Sequence, residues 1–158
     1  MKILIKSRFD IEKIASKPFE QKVALISITD YNWTFARLKY KPDYLLQLAF
    51  DDVDNDVFED ELHRKPTEVE RINIENKYHM MTDEQARQIS EFYNDVRDKA
   101  DILICQCEHG QSRSAAVAAS ILEYSCRRGI SVFAHDKYYP NKMIFKKVLS
   151  QLKNSSKE

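Results

Sequence analysis

The run Ile102-Leu103-Ile104-Cys105-Gln106-Cys107-Glu108-His109-Gly110-Gln111-Ser112-Arg113-Ser114 changes character abruptly along its length. Its first four residues are continuously apolar, as in a strand buried on both faces. A small-residue helical stretch follows over about residues 113–128. It ends at Gly129, a natural place for a left-handed helix cap. Between strand and helix lies a short polar loop. Strand, loop and helix in that order place the loop where open α/β sheets bind ligands, at the carboxyl end of a strand.

The same alternation extends in both directions. Upstream, Thr82 and Gln85 have capping-box spacing, and Ala86, Ile89, Phe92, Tyr93 and Val96 share one helical face. Residues 3–5, 23–28 and 44–50 read as further strands, and Asp10 as the cap of a helix carrying Ile11, Ile14 and Ala15. Residues 51–61 are strongly acidic and read as a loop or a solvated helix start. Residues 62–80 contain Pro66 and show no clear period. Downstream, Pro140-Asn141 opens a last helix with Met143, Ile144, Val148 and Leu152 apolar. The polar residues 154–158 read as a disordered tail. Strands separated by helices predict an α/β fold with a central, mostly parallel sheet flanked by helices, in one domain over residues 1–153.

Composition narrows the function. The chain has 158 residues, and its 25 basic and 25 acidic side chains cancel. That balance gives no sign of a nucleic-acid partner, which a basic excess would signal. No apolar run is long enough for a membrane span or a signal peptide. Three cysteines without a disulfide-scaffold composition predict free thiols and a cytoplasmic location. The oligomeric state is not legible.

The loop itself carries chemistry. Backbone N–H groups at the start of a helix converge on one concavity, and the helix dipole adds positive charge, so the site suits a phosphate-sized anion. The same field favours a thiolate at Cys107. Arg113 can grip two oxygens of the anion. Gly110 permits a backbone conformation, or a close ligand approach, that a side chain would obstruct. Glu108, His109, Gly110, Gln111 and Ser112 are therefore the candidate substrate-binding residues.

Cysteine, five residues, arginine, then serine resembles the signature of the cysteine-dependent protein tyrosine phosphatases, including glycine three places after the cysteine. The late position of the loop is similar to the small dual-specificity-type branch. Tyr139-Pro140-Asn141 before a helix looks like that family's closing segment. One departure is Gln106, where the family usually has histidine. The resemblance implies a phosphotyrosine-phosphatase-like fold and hydrolysis of phosphate monoesters through a phosphocysteine. It implies Cys107 as nucleophile, Arg113 as anion clamp, and Ser114 as the hydroxyl that bonds the sulfur. It also implies an aspartate acid on a loop after an earlier strand. With that strand ending at Phe50, Asp52 is the first choice, Asp51 the second and Asp54 the third. No metal or cofactor is implied, and the partner is a phosphorylated substrate such as a phosphoprotein.

Other readings compete. A non-catalytic phosphate-binding module would use the same loop, and a rhodanese-like cysteine enzyme has a related one. A calcium loop over Asp52, Asp54 and Asp56 is rejected, because Val57 and His63 stand where glycine and glutamate are needed. Zinc binding by Cys105, Cys107 and His109 lacks a second ligand pair. Cys105 reads as core or as a redox partner of Cys107, and Cys126 as a packed helix residue. Tyr31 and Trp33 follow a strand and read either as lining the substrate cleft or as core or rim aromatics.

Overall fold

The computed structural model describes residues 1–157, and Glu158 lies outside the described residues. Four strands form one sheet: β1 (Lys2–Lys6), β2 (Val23–Thr29), β3 (Tyr44–Ala49) and β4 (Ile102–Gln106). Their spatial order is β1-β4-β2-β3, and all three pairings are parallel. The expected α/β class and parallel sheet are therefore present.

Both faces of the sheet are covered, which explains the unbroken apolar strands. Along β2, Ala24, Ile26 and Ile28 join the larger core, while Val23 and Leu25 join the smaller one. On β4, Leu103 and Cys105 face the larger core and Ile104 the smaller. Three helices supply most of the helical residues in the larger core: α4 (Asp83–Val96), α5 (Arg113–Cys126) and α7 (Lys142–Ser155). The smaller core is closed by α1 (Arg8–Ile14) through Ile11. Ala115, Ala116, Ala118 and Ala119 of α5 are fully buried, so this helix lies close to its neighbours.

Several local expectations need correction. Ser7, not Asp10, caps α1, accepting from the Asp10 N–H. Residues 62–80 contain a regular helix, α3 (Glu68–Lys77), opened by a capping box of Thr67 and Glu70. The acidic run, expected as a loop or a solvated helix start, is a loop followed by α2 (Asp56–Leu62), which buries Val57 and Phe58. Helix α5 ends with Arg127 in the left-handed conformation at φ 57°, and Gly129 instead starts the short α6 (Ile130–Phe133) at φ −57°. A Cβ on Gly129 would stand 2.7 Å from the Ala119 carbonyl oxygen, so its glycine serves a close approach. The expected tail begins too early, because α7 continues to Ser155. The Ser155 hydroxyl there accepts from Asn94 and lies 3.2 Å from that of Ser90. No helix among the described residues is long and apolar enough to cross a membrane.

Candidate active site

The loop of residues 107–112 leaves the end of β4, the strand between β1 and β2. Gly110 is at φ +67°, a left-handed conformation that favours glycine. A Cβ there would lie 2.7 Å from the Ser7 nitrogen. The close approach is thus by the β1–α1 backbone, whereas the sequence offered a ligand as one reason for the glycine. The Cys107 N–H donates to the Lys6 carbonyl at 3.3 Å and the Arg8 N–H to that of Glu108 at 3.1 Å, fastening the loop to the same junction.

Cys107 is 2% exposed, and its Sγ lies 3.1 Å from the Ser114 Oγ in the first turn of α5. Gln106, fully buried, takes a structural place beneath it. Its Nε2 donates to the Cys107 carbonyl at 3.1 Å, and its Oε1 accepts from Ser27 Oγ at 2.6 Å. An uncharged amide therefore ties the cysteine backbone to β2. Cys105 lies in the core, where burial, with Cys107 as a smaller influence, pushes its thiol up to about 12. All three cysteines are free, and Cys126 is exposed instead of packed.

Arg113 is buried. Its Nη1 donates to the Phe50 carbonyl at 2.7 Å and forms an ion pair with Asp30 Oδ1 at 2.7 Å. Among the described residues, its Nη2 and Nε have no hydrogen-bonded protein acceptor, so that edge of the fork is the one an oxyanion can use. Asp30 was not anticipated from sequence. The available signal was its place directly after a strand, at the ligand-binding end of the sheet.

The three candidate acids have different surroundings. Asp51 Oδ1 accepts from the Tyr31 N–H at 2.8 Å. Asp54 accepts from the Lys142 and Met143 N–H groups, so it caps α7. Asp52 Oδ1 accepts from Ser112 Oγ at 2.8 Å and from Asn141 Nδ2 at 3.0 Å. Of the three, only Asp52 is joined by a hydrogen bond to the Cys107 loop. Asn141 is 4% exposed and also donates to the Val53 carbonyl, while its Oδ1 accepts from the Ile144 N–H at the start of α7. The residues 139–141 close over the loop, with the Tyr139 N–H donating to the Gln111 carbonyl at 2.8 Å.

The remaining loop residues divide. His109 and Gln111 are exposed. Glu108 turns its carboxylate to Arg8 Nε at 2.7 Å, so its side chain braces the loop. Arg8 also donates to Thr29 Oγ1 and the Thr34 carbonyl, tying the segments after β1, β2 and β4 together. Tyr31 and Trp33 are exposed at the same end of the sheet, with Tyr31 stacked on His79 at 3.6 Å between ring centroids. No three His, Cys, Asp or Glu side chains among the described residues converge as a metal site would.

No family model matches this chain, and no curated protein does. Solved structures do. A point variant of human DUSP28 superposes with a TM-score of 0.58 at 12% identity, over 98% of this chain and 92% of that one. The human tyrosine phosphatase-like serine/threonine/tyrosine-interacting protein gives 0.56 at 13% identity, over 98% and 91%. Tk-PTP in its active form gives 0.51 at 16% identity, over 98% and 92%. At such identities the likeness concerns architecture: this chain has the fold of the small dual-specificity-type phosphatases.

Proposed function

We propose that the protein is a cysteine-dependent phosphatase that cleaves phosphate monoesters through a phosphocysteine. The observation that carries this reading is the meeting of Cys107, Ser114, Arg113 and Asp52 on or against one loop. The Cys107 thiolate attacks phosphorus in line with the ester oxygen, forming the S–P bond as the P–O bond breaks. Loop N–H groups and the free edge of Arg113 hold the equatorial oxygens. Asp52 gives its proton to the departing oxygen, then removes one from the water that attacks the phosphocysteine. That second step releases inorganic phosphate and regenerates the thiolate, with Ser114 donating to the sulfur as leaving group.

The chain up to Ser155, the end of α7, forms the catalytic domain in this reading, and the substrate is a phosphorylated protein side chain. Free cysteines fit a reducing cytoplasm. The test is hydrolysis of an aryl phosphate by the wild type, Cys107→Ser and Asp52→Ala. Loss of turnover in the first variant and a slowed rate in the second support the mechanism. Undiminished turnover by Cys107→Ser refutes it. A wild type that binds vanadate without turnover points to a phosphate-binding module.

A further inference from the structure

The charges around the loop are more acidic than anion binding requires. Arg113 supplies the buried guanidinium, and Asp30 sits against it with a side chain that is 54% exposed. A carboxylate there offsets part of the positive charge before substrate arrives. On the Asp52 side, a pocket of about 380 Å³ lies beside Ser112, lined by Asp52, Asp54, Asp56 and Tyr139 and by no basic residue. On the opposite side, Arg8 faces Glu108 at 2.7 Å and Glu12 at 3.9 Å. Arg113 and the loop N–H groups can therefore hold one phosphate. A second anionic group alongside it would meet carboxylates, and like charges at a binding rim lower both affinity and encounter rate.

We propose that Asp30 is a specificity-determining residue. It positions Arg113 and, with the carboxylates of Asp54 and Asp56, restricts the site to a lone phosphate on an uncharged or cationic scaffold. The substrate class is a phosphorylated protein side chain flanked by neutral or basic residues. Phosphate esters with a second phosphate nearby are turned away. This inference rests on the phosphatase reading above.

The experiment compares kcat/KM at low salt for one tyrosine-phosphorylated peptide with lysine flanks and the same peptide with glutamate flanks. A phosphoinositide bisphosphate and a 5′-phosphorylated oligoribonucleotide serve as polyanionic probes. The lysine-flanked peptide is expected to lead the glutamate-flanked one on the order of tenfold. The ratio shrinks towards one in about 0.5 M salt, where the screening length is only a few ångströms. Asp30→Asn lowers the ratio several-fold, and Asp30→Glu restores it. A ratio taken on one variant cancels any common loss of activity, so a purely structural role for Asp30 would leave it unmoved. Asp56→Asn, which does not touch Arg113, shifts the ratio in the same direction. Equal rates on the two peptides, or preference for either polyanionic probe, overturns the proposal while leaving the phosphatase reading intact. No hydrolysis of any probe, nor of an aryl phosphate, sinks both.

Discussion

Gly110 and Gln106 show how single residues shape the loop. The sequence marked Gly110 as special, and its φ of +67° bears that out, but the neighbour that excludes a side chain is the Lys6–Ser7 backbone. Gly110→Ala is expected to destabilise the protein by about 1–3 kcal/mol through strain and this clash, measured by urea unfolding. Gln106 departs from the histidine that the resemblance led one to expect, yet it is hydrogen-bonded at both ends of its amide. Asp30 and Arg8 were not legible as parts of the site. Their roles arise from contacts across 83 and 100 positions of chain (113 − 30 and 108 − 8), which local pattern does not encode. Cys107, Arg113 and Ser114 were legible because they are fixed by spacing within one loop and the helix turn after it.

At the scale of elements, Asn141 joins two tasks. It caps α7 and anchors Asp52, so Asn141→Ala is expected to cost about 1 kcal/mol of stability as a lost cap. It is also expected to lower kcat on substrates with poor leaving groups, which depend on the acid. Steady-state kinetics on alkyl and aryl phosphates checks the second effect. An equal loss on both classes would mean that Asn141 serves the fold alone. Helix α3 offers a pH test. Hydrogen bonding from Arg64 and from Thr67 lowers the Glu70 carboxyl from 4.5 to about 2. A depressed carboxylate stabilises the fold above its unfolded pKa, and that contribution disappears as pH falls from about 4.5 towards 2. Amide protection factors at the start of α3, corrected for the intrinsic pH dependence of exchange, are expected to fall over that window and to stay level in Glu70→Gln. The capping box that starts α3, Thr67 with Glu70, has the spacing of Thr82 with Gln85 but went unread in the sequence. Pro66 and the lack of a clean apolar stripe obscured it, whereas the box at Thr82 preceded an obvious stripe.

The whole molecule places Cys107 between a covered sheet and the segment of residues 139–141. Alternating side chains along β2 and β4 feed both cores, and that pattern made the sheet class readable from apolar runs alone. Strand order and the docking of residues 139–141 over the loop were not readable, because they depend on how distant elements pack. The two-sided burial predicts a graded reactivity of the thiols. Exposed Cys126 is expected to alkylate in the native protein, whereas Cys105, held neutral in the core, reacts only on global unfolding. Mass spectrometry of the alkylated protein across a urea series checks this. Modification of Cys105 well before the unfolding transition would contradict the burial described.

The chemistry itself is tested most directly by acid quench during turnover of an aryl phosphate, followed by mass spectrometry of the peptide that contains Cys107. The mechanism predicts a phosphoryl group on Cys107, accumulating further in Asp52→Ala if water activation becomes the slower step. Turnover with no phosphoryl group on Cys107, or with one on another residue, would contradict it.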